Sequence, residues 1–375
     1  MKRLVPLALV VTAGLAGACS SSTKSNTSST TASTTPPTTV ATPSTSNPST
    51  AQTLNESGSS LLFPFLQQLV TPLKTQFSNV TLAASAGGSG KGISDAIAGV
   101  TQMGGSDAYL SNSQLTTNPG LLNIPIAVSS QAVNYNLPGV KDLKLTGDVL
   151  AKVYQGSITK WNDQAIASLN PGVTLPATTI VPVRRVDSSG DTFLFTSFLS
   201  ATNATWKNGP AFGTTVTWPA APGELTASGN PGMVQTCKAT PGCVAYIGIS
   251  AEATAQTAGL GEALLQNQAG NYLQPNTSTV NAAVTAGASN VPDNLAASLI
   301  YEPGAQSYPI VNFEYIIVKN KQATADLATA IRDFLVFAID PNGGSTPTFL
   351  AKDQFVALPS SVLPKVNAAI ASISS

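Results

Sequence analysis

Histidine is absent from these 375 residues. Its absence excludes Ser-His-Asp and Cys-His catalysis, and with them every metal site that needs an imidazole. Charge is scarce as well. Lys and Arg number 18, Asp and Glu number 18, and together they make 10% of the chain. With no net charge and no basic stripe, the chain is not built for nucleic acid, and no such partner is expected. Hydroxyls and backbone must supply much of its solvation. Cysteines are limited to Cys19, Cys237 and Cys243. The apolar run from Leu4 to Ala18 is too short for a stable membrane span, which takes about 20 residues.

That run follows Lys2-Arg3 and reads as an export leader over residues 1–18. It ends in Leu15-Ala16-Gly17-Ala18-Cys19. Small residues before a Cys resemble a bacterial lipoprotein cleavage box, with Ala16 where Leu is usual. Cys19 would then be lipidated and hold the exported chain on the outer face of the cell membrane. The other reading is an ordinary signal peptide with an incidental Cys. Cys237 and Cys243 flank a Pro241-Gly242 turn. In an exported chain two such neighbours read as a disulfide, whose short loop would contribute about 2 kcal/mol.

Residues 19–53 are almost wholly Ser, Thr, Pro, Ala and Asn, the composition of a disordered spacer. Globular patterning begins at residue 54. Leu62, Phe65, Leu66, Leu69, Leu73 and Phe77 follow a helical period, with Pro64 tolerated in the first turn. Val80–Ala84 reads as a strand. Ser89 reads as the cap of a helix carrying Ile93, Ile97 and Val100. Strands are expected at Leu122–Val128, Ile180–Arg185, Val244–Ile249 and Tyr308–Lys319, and a helix at Ala323–Ile339. Alternating βα units predict an α/β fold whose ligand sits beyond the carboxyl ends of the strands. The chain is expected to leave its first unit near Gln131–Leu137 and return to it near Tyr308. That gives one lobe from 54–130 with 308–375, a second from 131–307, and a hinge cleft between them.

Three segments place Ser and Gly just before a helix: Gly58-Ser59-Ser60-Leu61, Gly87-Gly88-Ser89-Gly90 and Asp187-Ser188-Ser189-Gly190-Asp191. A helix start offers unpaired N–H groups and a partial positive charge. Glycines let that backbone close on a ligand, and Ser hydroxyls add donors. Converging, three such starts would cage a small oxyanion. Arg184 and Arg185, just ahead of the third, add fixed positive charge. Taken singly, Ser60 and Ser89 are helix caps, Asp107 belongs to a Gly-Ser-Asp turn, and Arg185 with Asp187 is a surface pair. Tyr154 and Trp161 read as packing residues, and Asp95 as a solvated one.

In order and spacing these segments resemble the phosphate-binding lipoproteins of bacterial phosphate ABC importers, the PstS type, especially the mycobacterial form. The stretches are Gly58–Pro64, Gly87–Gly92, Gly105–Leu110, Tyr154–Trp161, Arg184–Phe195, Tyr246–Gly248 and Tyr308–Ile310. The resemblance implies a type II periplasmic-binding-protein fold, each lobe a mixed, mostly parallel sheet flanked by helices. It implies a non-enzymatic receptor, without cofactor or metal, that hands inorganic phosphate to membrane permease subunits. Carried over by position, Ser60 gives a hydroxyl and Leu61 a backbone N–H. Ser89, Ser189 and Gly190 donate, and Asp107 accepts the ligand's proton. Arg185 supplies the guanidinium, oriented by Asp187, and Asp191 touches the ligand where some relatives have Thr. A monomer is expected. The rival readings are a receptor for sulfate or molybdate and, from another class, a phosphatase. A buried carboxylate at Asp107 meets only lone pairs on sulfate, so it favours a ligand that keeps an O–H.

Overall fold

The computed structural model describes residues 42–375. The leader, Cys19 and the spacer up to residue 41 lie outside the described residues. Strands β1 (Gln52–Gly58) and β2 (Val80–Ala86) run parallel, joined by helix α1 (Phe63–Gln76). α1 turns Phe65, Leu66, Leu69 and Leu73 into the core, and Pro64 sits in its first turn, where a missing N–H costs nothing. Helix α2 (Ser89–Ala98) then leads to β3 (Met103–Ser106), parallel to β1. α2 lies directly on this backbone. A Cβ built on Gly92 would sit 2.5 Å from the Ser57 carbonyl oxygen, and one on Gly104 would sit 2.1 Å from that of Gly92. Only glycine allows that approach, and it fixes where the start of α2 points.

The remaining strands are β4 (Leu121–Tyr135), β5 (Lys144–Leu145), β6 (Val181–Arg185), β7 (Leu225–Ala227), β8 (Cys243–Gly248), β9 (Gly261–Glu262), β10 (Leu264–Gln266), β11 (Tyr272–Leu273) and β12 (Val311–Lys319). The main sheet runs β2-β1-β3-β12-β4-β8-β6-β7, with β9 also on β4, and β11-β10-β5 form a small second sheet. β12 and β4 are antiparallel to each other and to their neighbours β3, β8 and β9, whereas β2-β1-β3 and β8-β6-β7 each run parallel. β4 is longer than the pattern suggested. It pairs with β12 from Leu121 to Ser130 and with β8 from Gln131 to Tyr135. Past Val128, where the sequence pattern ends the strand, the backbone stays extended to Tyr135 because a new partner takes over its hydrogen bonds.

Other elements differ at their ends. The expected spacer overlaps the body: the Ser46 N–H donates to Asp333 Oδ1 at 3.1 Å, the Thr50 N–H donates to Asp326 Oδ2 at 2.8 Å, and β1 begins at Gln52. A polar composition concealed this, because the bonds are made by backbone groups. Helix Ala325–Ile339 starts two residues late, since Thr324 Oγ1 accepts from the Leu327 N–H and caps it. Cys237 and Cys243 are bonded, tying helix Gly229–Ala239 to β8. Tyr154 and Trp161 are buried, their polar ends donating to the carbonyls of Val183 and Gly242. Asp95 pairs with Lys91 and accepts from Ser57. Among the described residues no helix is long and apolar enough to cross a membrane.

β1 also carries a buried acid. Glu56 is 2% exposed, Oε1 accepts from the Gly105 N–H at 2.9 Å, and Oε2 has no partner. Burial pushes its pKa from 4.5 up to about 8. The folded state therefore holds a proton that the unfolded state releases, and stability falls as pH rises between those values. Glu56→Gln removes that slope. Denaturant unfolding is expected to show wild type losing of order 3 kcal/mol relative to the variant between about pH 5 and about pH 8. Parallel stabilities across that window would mean that Glu56 titrates normally.

Candidate functional site

The residues singled out above meet at one buried place, where the ends of β1, β3 and β6 face the starts of three helices. α1 is preceded by a tight turn in which Ser59, rather than Ser60, does the capping. Ser59 Oγ accepts from the N–H groups of Leu61 and Leu62, both at 3.0 Å. With its lone pairs engaged, its proton points at Asp107 Oδ1, which it contacts closely. The Leu61 N–H, expected to face a ligand, is thus directed to Ser59. The Ser60 hydroxyl accepts from the Asn230 N–H at 3.2 Å.

Ser89 is the first residue of α2, and Gly88 holds the cap position. This corrects the expectation that Ser89 caps the helix. Its fully buried hydroxyl instead accepts from the Asp107 N–H at 3.1 Å. Ser189 is a true cap, its Oγ 3.4 Å from the Thr192 N–H at the start of helix Gly190–Thr202. Gly190 is the point of closest approach. A Cβ there would lie 2.2 Å from Asp107 Oδ2 and 2.4 Å from Ser89 Oγ. Asp107, Ser89 and the third helix start therefore share one small space.

Arg185 ends β6 and is 3% exposed. Its Nε donates to Asp187 Oδ1 at 2.8 Å, a second nitrogen contacts Asp187 Oδ2, and Nη1 donates to Asp191 Oδ2 at 2.7 Å. Burial works against the guanidinium charge, but the two carboxylates outweigh it and hold its pKa above the usual value. Burial alone would raise Asp187, yet Arg185 and the Gly229 N–H pull it below the ordinary range. Asp191, expected to touch a ligand, has both oxygens engaged inside the protein. Oδ2 also accepts from Asn230 Nδ2 at 2.9 Å, and Oδ1 from Gln131 Nε2 at 3.0 Å. It acts as a second holder of Arg185.

Sequence reasoning passed over Ser59 as an orienting group, Gln131, Asn230 and Glu314. Asn230 had a signal. Ser228-Gly229-Asn230 opens helix Gly229–Ala239 and is a fourth Ser-Gly start. Glu314 had one too, as the single acid in the apolar run Val311–Val318. It is fully buried beside Asp107. A cavity of about 230 Å³ beside them is bordered by Ser60, Gly87, Gly88, Asp187, Ser228 and Gly229. The arrangement offers neutral donors, one neutralised cation and one acceptor carboxyl to something small.

Residues 27–342 match the family described as the PBP superfamily domain. The phosphate-binding protein PstS of Methanocaldococcus jannaschii is 33% identical over 317 residues, covering 79% of this chain and 80% of that protein. The phosphate-binding protein PstS3 of Mycobacterium bovis is 32% identical over 335 residues, covering 86% and 87%. In structure, the chain resembles a Clostridium perfringens protein described as a phosphate ABC transporter substrate-binding protein and solved with bound phosphate. The TM-score is 0.60 at 17% identity, over 82% of this chain and 100% of that one, a likeness of fold.

The Gly190 contact is testable directly. Gly190→Ala forces a methyl group between Asp107 and Ser89, and overpacking of this kind costs about 1–3 kcal/mol. Denaturant unfolding is expected to show that loss. A variant as stable as wild type would mean that Asp107 and Ser89 can draw back freely.

Proposed function

We propose that this chain, which belongs to the PstS family of phosphate-binding proteins, captures inorganic phosphate outside the cytoplasm and passes it to the permease of an ABC importer. One observation carries the reading: Asp107, a carboxyl with no cation of its own, lies against Ser89 and the Gly190 helix start. A carboxyl in an anion site is useful only if the anion brings a proton. Phosphate keeps an O–H near neutral pH and can donate it. Sulfate cannot, and would leave a buried charge facing lone pairs, at a cost of several kcal/mol.

The donors in this reading are Ser60, Ser89, Ser189, the backbone of Gly190, and the free N–H groups of Arg185, while the Leu61 N–H serves to hold Ser59. They are oriented before the ligand arrives, so little reorganisation is needed. Asp187 and Asp191 hold Arg185 and cancel its charge, which leaves geometry rather than bulk attraction to set affinity. Binding at about micromolar strength needs roughly 8 kcal/mol, within reach of several charge-assisted bonds in a closed cleft.

The two lobes in this reading are 54–130 with 308–375, and 131–307. The exchange of partners along β4 between Ser130 and Gln131 supports a hinge there. The protein acts as a binding protein, without turnover. It works as a monomer on the outer face of the membrane, held by lipid on Cys19, after removal of the leader. Sulfate or molybdate as ligand is the competing reading, and the Asp107 carboxyl speaks against it.

Titration calorimetry with phosphate, arsenate and sulfate tests the assignment. Wild type is expected to bind phosphate and reject sulfate. Asp107→Asn, whose amide can donate to sulfate, should narrow that discrimination by about tenfold or more. Arg185→Ala should weaken phosphate binding by at least about tenfold. Sulfate binding as tight as phosphate in wild type would defeat the reading, and so would sustained release of phosphate from a phosphomonoester.

A further inference from the structure

Glu314 sits on β12 where its register against β4 shifts, between Glu314 and Tyr315. β12 also pairs antiparallel with β3, Tyr315 opposite Ser106, so Glu314 and Asp107, one residue further along each chain, lie side by side. Both residues are buried, Glu314 completely and Asp107 to 2% exposure. The two oxygens of Glu314 differ sharply. Oε1 accepts from Ser129 Oγ at 2.5 Å and from Asn312 Nδ2 at 2.9 Å. Oε2 receives no donor at all. Oε2 is therefore the oxygen left free to carry a proton.

We propose that Glu314 is a positioning residue that holds the single proton of an Asp107–Glu314 pair and donates it to Asp107, leaving a lone pair of Asp107 for the ligand's O–H. This deepens the phosphate reading and rests on it. The surroundings leave the pair no other way to be neutralised. Arg185, the buried cation of the site, is engaged with Asp187 and Asp191. Ser59 and Ser129 contribute hydroxyls, and Asn312 an amide. The phenols of Tyr109 and Tyr315 are pushed up by burial and stay neutral. Asp191 adds a further negative charge that both carboxyls feel. Two buried carboxylates in contact cannot both ionise, so one proton is retained. In keeping with this, burial holds the pair as a whole above the ordinary carboxylate range.

With the proton on Glu314, the pair carries one negative charge, and Asp107 remains an acceptor. Once the pair loses that proton to solvent at higher pH, two charges face the incoming anion and binding weakens. Glu314→Gln keeps a donor toward Asp107 and an acceptor for Ser129 and Asn312, but it cannot titrate. The test is phosphate titration of wild type and Glu314→Gln from about pH 6 to about pH 9. The same phosphate species is present for both proteins at each pH, so the ratio of affinities removes the ligand's own titration.

The expected result is near-equal affinity at the acid end and wild type weaker than the variant by about tenfold or more at the alkaline end. A ratio that stays constant across the range overturns the proposal. So does a variant with native circular dichroism that binds weakly at every pH, because an amide donor would then not replace the acid. If wild type and variant both ignore phosphate throughout, the capture reading itself falls and this inference falls with it. A constant ratio with tight binding overturns the inference alone.

Discussion

The Arg185 charge is buried, and the rest of the site is arranged around that fact. A bare guanidinium in a dry cleft would cost several kcal/mol and would draw in any anion. Asp187 grips it from one side and Asp191 from the other. What remains is a planar group with known direction and little net charge. Asn230 and Gln131 then fix Asp191, so the gripping acid cannot swing away. Each layer exists because the one inside it would otherwise be unsatisfied.

The same constraint explains why neutral groups dominate. Acids outnumber cations here, with Asp107, Asp187, Asp191 and Glu314 against one Arg185. Ionising all four would be prohibitive, so Asp107 and Glu314 share, while hydroxyls and backbone N–H groups do most of the donating. Ser59 illustrates the economy of the device. One hydroxyl accepts from two amides at the start of α1 and thereby has its proton aimed at Asp107. The long strand β4 serves the same end at larger scale. It belongs to both halves of the main sheet, so helix starts rooted in each half meet at one point.

Much of this was legible beforehand. The three Ser-Gly helix starts could be named from the residues themselves and the role of Asp107 only from the family resemblance, and the structure brings them together. The disulfide followed from two close cysteines. Partner identities were less legible. Ser59 rather than Ser60 caps the turn before α1, and Gly88 rather than Ser89 caps α2, because cap positions depend on backbone angles that a run of small residues does not specify. Asp191 faces inward to Arg185 and Asn230, a choice made by a helix that comes from elsewhere in the chain. The end of the spacer was also hidden, since backbone groups at Ser46–Thr50 find Asp326 and Asp333 more than 270 residues away.

By itself, the sequence determined the kinds of group available: no imidazole, few charges, many hydroxyls, and glycines at the points where helices begin. Those are local properties, written in neighbouring residues, and local rules read them. Only the tertiary structure decided which carboxyl neutralises which charge. Arg185 meets Asp191, Asp107 meets Glu314, and Gly190 meets both Asp107 and Ser89 through the crossing of β12 and β4 with distant helices. Pairings across such separations are set by how the sheet closes and what it excludes from water, and no short stretch of sequence contains that information.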